Sequence, residues 1–212
     1  MITVYGRATS SNVQIVMWAI GELGLACQRL DYGHSYGGTK TPEYLAMNPN
    51  GLVPTVRDGD LVLWESGAVL RYLAARYGAE PFWPADPAKR APLDMWAEWA
   101  KTTFGPALFP IFQHLVRLPK AQRSEAALEA GVAGIAPVAR ILDARLGAGP
   151  WLAGEDFTFA DIAAGTLLYR YYTFPFQRTE TPNLDAYFER LKARPAYAEH
   201  AMVSYEPLRA RD

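Results

Sequence analysis

The sequence contains few of the residues that build disulfides or metal sites. Only one of its 212 residues is a cysteine, Cys27, so no internal disulfide can form, in agreement with a reducing compartment. Cys27 lies at the start of an expected strand and is predicted to be a small buried hydrophobe. The three histidines, His34, His114 and His200, are scattered without metal-ligand spacing. We therefore expect no metal site.

Long apolar runs and clusters of like charge are also lacking. Charges interrupt every apolar stretch well before the roughly 18 to 20 residues of a membrane span, and no signal-like segment opens the chain. The 21 Lys and Arg residues nearly balance the 22 Asp and Glu residues, without a basic stripe that could follow a phosphate backbone. We expect a cytoplasmic protein that binds neither membranes nor nucleic acid.

The first part of the chain alternates strand and helix patterns. An apolar run at residues 2–5 is followed by a polar loop and by helical spacing that stops at Gly24. Further on, Asp58-Gly59 is a strong hairpin signal between two short strands. The predicted order is β, α, β, a Gly- and Pro-rich segment with one short helix after Thr41-Pro42, then two strands and a helix at 66–77. Residues 1–78 are therefore predicted to form a small α/β domain.

Beyond this domain nearly every segment has helical period. Four prolines within residues 78–92 predict a linker at 79–91 that cannot continue a helix. The all-helical domain is expected over residues 92–212. Its predicted helices are 93–118 with breaks at Gly105-Pro106 and Pro110, 121–146, 158–172, 183–193, and one after Pro195.

Two short motifs in the α/β domain permit more than one interpretation. Val53-Pro54 opens a strand, so Pro54 is either an edge-strand proline or a cis-proline that turns the Val53 backbone towards an extended ligand. Glu65-Ser66 stands at the start of a helix. These residues either cap that helix or bind the carboxylate and ammonium groups of an amino-acid ligand.

The polar loop before the first helix contains Thr9, Ser10, Ser11 and Asn12. Such side chains can cap the helix, or they can donate hydrogen bonds to an anion at its N-terminus. A thiolate is one such anion, and a hydroxyl donor would stabilise it further. Because this loop has no cysteine, the sulfur would have to belong to a ligand.

The segments "SSNVQIVMWAIGELGL", "TPEYLAMNPNGLVPTVRDGDLVLWESGAVLRYLAARYG" and "WLAGEDFTFADIAAG" resemble the cytosolic glutathione transferases, most closely the bacterial theta-like, serine-type group. The resemblance covers the whole chain. It implies a thioredoxin-like α/β domain, an all-α domain, glutathione as co-substrate and a homodimer. It also implies that Pro54 is cis, that Val53 pairs with the cysteinyl backbone of glutathione, and that Glu65 and Ser66 hold its γ-glutamyl end. Thr158-x-x-Asp161 is then a structural capping box.

The resemblance implies three candidates for the thiol contact. Serine-type members place their hydroxyl fourteen positions before the glycine that ends the first helix, which selects Ser10 when Gly24 is that glycine. Related groups place the contact two positions later, at Asn12. Ser11 lies between these residues and stays a candidate. Tyr5 is one position from the phenol of tyrosine-type members, and strand alternation should turn it to the other face.

The remaining ligand contacts are less closely defined. Lys40 and His34 are candidates for the glycyl carboxylate, while Leu52 departs from the polar residue that the family often has before Val53. Aromatic residues of the helical half are candidate walls of an apolar pocket, with core packing as the alternative: Phe104, Phe112, Tyr169, Tyr171, Tyr172, Phe174 and Phe176.

The function that we expect from the sequence is glutathione transfer to a small apolar electrophile. In this hypothesis Ser10 donates a hydrogen bond to the glutathione thiolate and is not itself the nucleophile. One alternative is a disulfide or peroxide reductase that uses Asn12. The other is a binding module with the same fold and little turnover.

Overall fold

A four-stranded mixed sheet organises the first part of the chain in the computed structural model, which describes residues 1–211. Strand β1 (Ile2–Tyr5) pairs in parallel with β2 (Cys27–Leu30) and antiparallel with β3 (Thr55–Asp58). Strand β3 pairs antiparallel with β4 (Leu61–Trp64), and the order across the sheet is β2-β1-β3-β4. The predicted strands and the hairpin at Asp58-Gly59 are therefore confirmed.

The two faces of β1 carry different side chains. Ile2 and Val4 are buried in the main core, whereas the Tyr5 ring makes edge contacts with Tyr32 and Tyr44. Tyr44 belongs to α2 (Pro42–Met47), whose cap Thr41 accepts a hydrogen bond from the Tyr44 N–H. Because side chains alternate along a strand, Tyr5 faces this aromatic cluster.

Helices α1 (Ser11–Glu22) and α3 (Ser66–Tyr77) pack against each other beside the sheet. Gly24 follows α1 with a φ of 62°, the left-handed conformation that glycine adopts without a steric cost. Residues 13–20 of α1 are all buried, so this helix is enclosed on every side.

The second half begins with a helical column that continues through its prolines. It consists of α4 (Pro87–Trp99), a π-helical turn (Ala100–Phe104), α5 (Gly105–Phe112) and a second π-helical turn (Gln113–Arg117). The predicted breaks at Gly105-Pro106 and Pro110 do not occur. Each π turn ends with a hydrogen bond to the carbonyl five residues earlier, from Gly105 to Ala100 and from Leu118 to Gln113. The hydrogen bonds in these wider turns span five residues instead of four, and the column continues through them without a break.

The start of α4 also differs from the sequence prediction. Pro87 lies inside the segment 79–91 that we predicted as a linker, and α4 begins there. The Asp86 side chain accepts a hydrogen bond from the Ala88 N–H, and a proline at the first helical position loses no hydrogen bond. The Val53–Pro54 peptide bond is cis, as is the Glu80–Pro81 bond before this helix.

Five further α-helices follow within the described residues. The predicted helix at 158–172 is two helices, since the chain bends at Thr166-Leu167, and the predicted start at 121 shifts to Glu125. None of the described helices is both long and apolar enough to cross a membrane. Their bounds are α6 (Glu125–Leu146), α7 (Phe159–Gly165), α8 (Leu168–Thr173), α9 (Pro182–Lys192) and α10 (Pro195–His200).

The helical domain packs directly on α1. The buried Trp18 ring contacts the Phe157 and Tyr197 rings, and its indole N–H donates to Glu22. Gly165 of α7 approaches Trp18 so closely that a Cβ there would lie 2.9 Å from the indole. This contact fixes α1 against the second domain.

Asp161 ties the start of α7 to its surroundings. Its fully buried carboxylate accepts hydrogen bonds from the Leu152 N–H at 2.9 Å, the Thr158 N–H at 2.8 Å and the Tyr187 hydroxyl at 3.0 Å. Burial raises the pKa of Asp161 to about 6 in spite of these donors. The predicted capping box with Thr158 is confirmed.

Replacing Asp161 should therefore destabilise the protein strongly. Asp161→Ala leaves at least three donors without an acceptor, two of them backbone N–H groups, and we expect a loss of about 3 to 5 kcal/mol in the free energy of unfolding. Urea unfolding at equal protein concentrations measures this loss. The matched control is Asp156→Ala, an exposed carboxylate in the preceding loop, which should change stability by less than about 0.5 kcal/mol. Equal losses in the two variants would contradict the assigned role.

Candidate functional site

Ser10 occupies the N-cap position of α1. Its backbone is extended, its carbonyl accepts the first helical hydrogen bond from Gln14, and only 9% of the residue is exposed. Within residues 1–211 its hydroxyl has no hydrogen-bond partner and makes no capping bond. The hydroxyl and the first N–H groups of the helix are thus free to act on a ligand atom at this end.

Three cavities meet around this helix N-terminus. The largest, of about 520 Å³, lies between the two domains and includes Ser10, Ser11 and Asn12 in its lining. A second, of about 250 Å³, extends from Ser10 towards His34 and Val53. The third, of about 50 Å³, lies beside Pro54, Glu65 and Ser66. Because Ser10 borders the first two cavities and Ser11 only the first, Ser10 has the more central position of the two serines.

Asn12 and Ser66 connect the N-termini of α1 and α3. The Ser66 hydroxyl donates to the Asn12 side-chain oxygen at 3.0 Å and accepts from the Lys101 ammonium group at 3.0 Å. Lys101 also lies 3.8 Å from the Glu65 carboxylate. The side-chain oxygen of Asn12 is therefore engaged with Ser66, whereas the Ser10 hydroxyl is not engaged by any described residue.

Glu65 and Ser66 do not cap α3 with their side chains. Glu65 stands at the N-cap position without a capping hydrogen bond, and its φ of 67° is uncommon for a residue with a Cβ. Its side chain is mostly exposed, while Ser66 is buried. Strained backbone of this kind occurs often at ligand sites. The capping interpretation of this pair is wrong.

Buried hydrogen bonds hold the backbone before Pro54. The Leu52 carbonyl accepts from the Tyr44 hydroxyl at 2.7 Å and from the Asn48 amide at 2.9 Å. Asn48 also donates to the Thr55 hydroxyl, which in turn donates to Tyr44. These contacts fix the loop on which the cis Val53–Pro54 bond presents the Val53 backbone at the cavity edge.

The two candidates for a glycyl carboxylate lie on the same side of the site. His34 borders the 250 Å³ cavity, and Lys40 lies beside Gly51, where its ammonium group donates to the Asn50 carbonyl at 3.4 Å. Both side chains are exposed. Partial desolvation of the imidazole and the charges of Arg117 and Arg7 lower the pKa of His34, so its protonated form is disfavoured.

Most of the aromatic residues that we predicted as pocket walls belong to the core. Of those seven, Phe112 borders the 520 Å³ cavity, together with Phe109, which the prediction missed. Phe104, Tyr171 and Phe174 are almost fully buried, since helix packing leaves them no path to the cavity. Cys27 is half-buried and lies outside the three cavities. Burial raises the pKa of its thiol, as expected for a residue that packs rather than reacts.

The cations of the large cavity were missed by the sequence analysis. Lys101, Arg7, Arg117 and Arg170 border it, and residues far apart in sequence contribute them. The positions of these basic residues in the sequence do not predict such a cluster, because they come together only when the chain is folded. No group of three or more potential metal ligands occurs in the part of the chain that the structure describes.

Two family models match the chain. Residues 1–75 match the glutathione S-transferase N-terminal domain, and residues 93–195 match the C-terminal domain. Among curated proteins, glutathione S-transferase GstB of Escherichia coli K12 is 38% identical over 96% of this chain and 99% of its own. Glutathione S-transferase 3 of Zea mays is 34% identical over 92% of this chain and 91% of its own.

Solved structures agree with these matches. A theta-class glutathione S-transferase of Xanthomonas axonopodis pv. citri with glutathione bound superposes with a TM-score of 0.91 at 41% identity, over 96% of this chain and 98% of that one. A maize glutathione S-transferase I in complex with an atrazine glutathione conjugate superposes with a TM-score of 0.84 at 25% identity, over 94% and 96% of the two chains. With both domain models matched in order and relatives aligned along nearly the entire length, this chain belongs to the glutathione S-transferase family.

Proposed function

We propose that this transferase binds glutathione across the N-termini of α1 and α3 and lowers the pKa of its thiol for attack on a small electrophile. The observation that carries the proposal is the Ser10 hydroxyl, which has no hydrogen-bond partner in the described part of the chain and lies at the start of a buried helix where two cavities meet. A thiolate there would accept hydrogen bonds from this hydroxyl and from the helix N–H groups.

The rest of glutathione would extend from this point along the sheet edge. The Val53 backbone would pair with the cysteinyl residue, and Glu65 and Ser66 would hold the ammonium and carboxylate groups of the γ-glutamyl end. Lys101 supports this assignment, because its contacts to Ser66 and Glu65 bring a cation to the groups that would bind the γ-glutamyl carboxylate. His34 and Lys40 would contact the glycyl carboxylate.

The electrophile would occupy the 520 Å³ cavity. Leu108, Phe109 and Phe112 supply apolar lining for this cavity. Holding both reactants in one cavity supplies proximity, and the lowered pKa supplies a larger thiolate fraction. Moving a thiol pKa from about 8.5 to about 6.5 raises that fraction at pH 7 from about 3% to about 75%.

We expect Ser10→Ala to raise the thiol pKa of bound glutathione towards its free value. The hydroxyl donor is lost while the helix N-terminus remains, so the shift should be about one unit. The thiolate fraction at pH 6.5, and with it the conjugation rate, should then fall about fivefold. The ultraviolet absorbance of the thiolate, titrated against pH with saturating glutathione, measures this pKa.

The matched variants in that titration are Ser11→Ala and Asn12→Ala. Both should leave the thiol pKa near the wild-type value, although Asn12→Ala also frees Ser66. A rise with Asn12→Ala alone would favour the disulfide or peroxide reductase. If glutathione binds to the wild type without forming a thiolate, the chain is a binding module and the proposed function is wrong.

Glu65→Gln should weaken glutathione binding about tenfold, since the carboxylate that pairs with the γ-glutamyl ammonium group is lost. Titration calorimetry compares glutathione with its desamino analogue, which lacks that ammonium group and should bind both variants equally. Asp60→Asn, an exposed carboxylate in the β3–β4 turn, is the control and should change neither affinity. Equal weakening for both ligands would contradict the ammonium contact.

We also propose that the protein forms a homodimer through the β4 side of the sheet. Strand β4 is an edge of the sheet, and its Leu61 and Trp64 are 42% and 38% exposed. Met95 of α4, a helix joined to α3 by the Arg71–Asp94 ion pair, is 59% exposed. Apolar side chains at a sheet edge are typical of surfaces that pair.

Sedimentation equilibrium should give twice the 23.5 kDa of one chain. Trp64→Lys should shift the equilibrium towards monomers by at least about tenfold, because it places a charge in the apolar contact. Ile141→Lys, an exposed apolar position on α6, is the control and should leave the mass unchanged. A monomeric wild type at micromolar concentration would exclude the dimer.

A further inference from the structure

Three arginines from separate elements surround one side of the 520 Å³ cavity. Arg7 follows β1, Arg117 ends the second π turn, and Arg170 lies on α8. The Nε–H group of each guanidinium is buried and has no hydrogen-bond acceptor among the residues that the structure describes. No ion pair joins any of the three to a carboxylate of residues 1–211.

Arg170 is the most enclosed member of this arginine cluster. It is 7% exposed, and one terminal NH₂ group donates to the Thr9 carbonyl at 2.8 Å. Burial and the charges of Arg117 and Arg7 lower the pKa of Arg170 to about 10. A buried cation with two like charges as neighbours is unfavourable unless an anion joins them.

An aromatic ring lies beside the arginine cluster. Arg117 and Arg170 both lie against the ring of Phe112, at 5.4 and 5.0 Å from its centroid. Among residues 1–211, the lining of the cavity contains Lys101 as a fourth cation and no Asp or Glu. An apolar surface beside several unpaired guanidinium groups fits a ligand with an apolar body and a carboxylate, sulfonate or phosphate group.

We propose that the electrophile of this transferase is an anion, whose acidic group is bound by Arg7, Arg117 and Arg170 while its body lies on Phe112. The inference rests on the proposed function for its chemical step. There the glutathione thiolate attacks the electrophilic carbon, a C–S bond forms, and the leaving group departs with the electron pair of its broken bond. The thiol proton has already passed to solvent, so no oxidant or reductant is required.

The glycyl carboxylate of glutathione is another anion to which the arginine cluster could bind. Arg7 borders both the large cavity and the 250 Å³ cavity, but Arg117 and Arg170 border only the large one. Two of the three guanidinium groups therefore border only the cavity in which the electrophile would bind. This placement favours the electrophile as the source of the anion.

Binding is tested without turnover by calorimetry with phenylacetate and its neutral counterpart phenylacetamide, both at saturating glutathione. We expect the wild type to bind phenylacetate at least about tenfold more tightly, and Arg117→Met to remove most of that preference, with Arg117→Lys restoring part of it. Arg123→Met, which removes an equal charge outside the cavity lining, should keep the preference. Equal affinities for the two ligands would overturn the inference. So would phenylacetate binding that is seen without glutathione and lost at saturating glutathione.

Turnover is tested with iodoacetate and iodoacetamide. The kcat/KM for each compound is divided by the rate constant of its uncatalysed reaction with glutathione at the same pH. The corrected kcat/KM should favour iodoacetate in the wild type, and the ratio should fall about tenfold or more in Arg117→Met but not in Arg123→Met. A wild-type preference for iodoacetamide would overturn the anionic electrophile while leaving the transferase function intact. Loss of the glutathione thiolate in the pH titration would instead contradict the proposed function, whereas the calorimetry would still decide whether the cluster binds anions.

Discussion

The enclosure of α1 is the constraint on which the rest of the structure depends. The sheet, α3, α7 and α10 surround residues 13–20, so the helix cannot rotate or slide without disturbing both domains. Glu22 at its far end forms an ion pair with Arg194 at 2.6 Å, and Trp18 packs against Gly165. Its N-terminus is consequently held in a fixed position between the domains. A hydrogen-bond donor at that end requires no reorganisation when a charge develops near it.

The domains share the polar groups of the site as well as the core. Lys101 of the helical column reaches Ser66 of α3, and Arg170 of α8 holds the Thr9 carbonyl in the loop before α1. The formal net charge of the chain is only -1, yet the 520 Å³ cavity at the site has a positive lining. Local arrangement, rather than overall composition, therefore decides what the site attracts.

The sequence predicted the fold where the signals were local. Alternation, the Asp58-Gly59 turn and helical period located the strands and most helices, and the resemblance indicated the family and the cis Pro54. Boundaries were less predictable, as the start of α4 at Pro87 and the bend at Thr166-Leu167 demonstrate. The arginine cluster was not predictable, since Arg7, Arg117 and Arg170 come together only through tertiary packing. For the same reason the sequence could not separate the aromatic residues of the core from Phe109 and Phe112 at the cavity.

The two π turns determine which face of the helical column carries its charges. Lys101 and Arg117 are separated by sixteen positions, and in a regular α-helix two such side chains would point about 160° apart. Both border the same cavity here. Each π turn is wider than an α turn and rotates the chain less per residue, so the two turns together take up this angular difference. The π turns thus change the angular position of Arg117 around the helix axis relative to Lys101. In a regular α-helix with the same residues, one of the two cations would point away from the cavity.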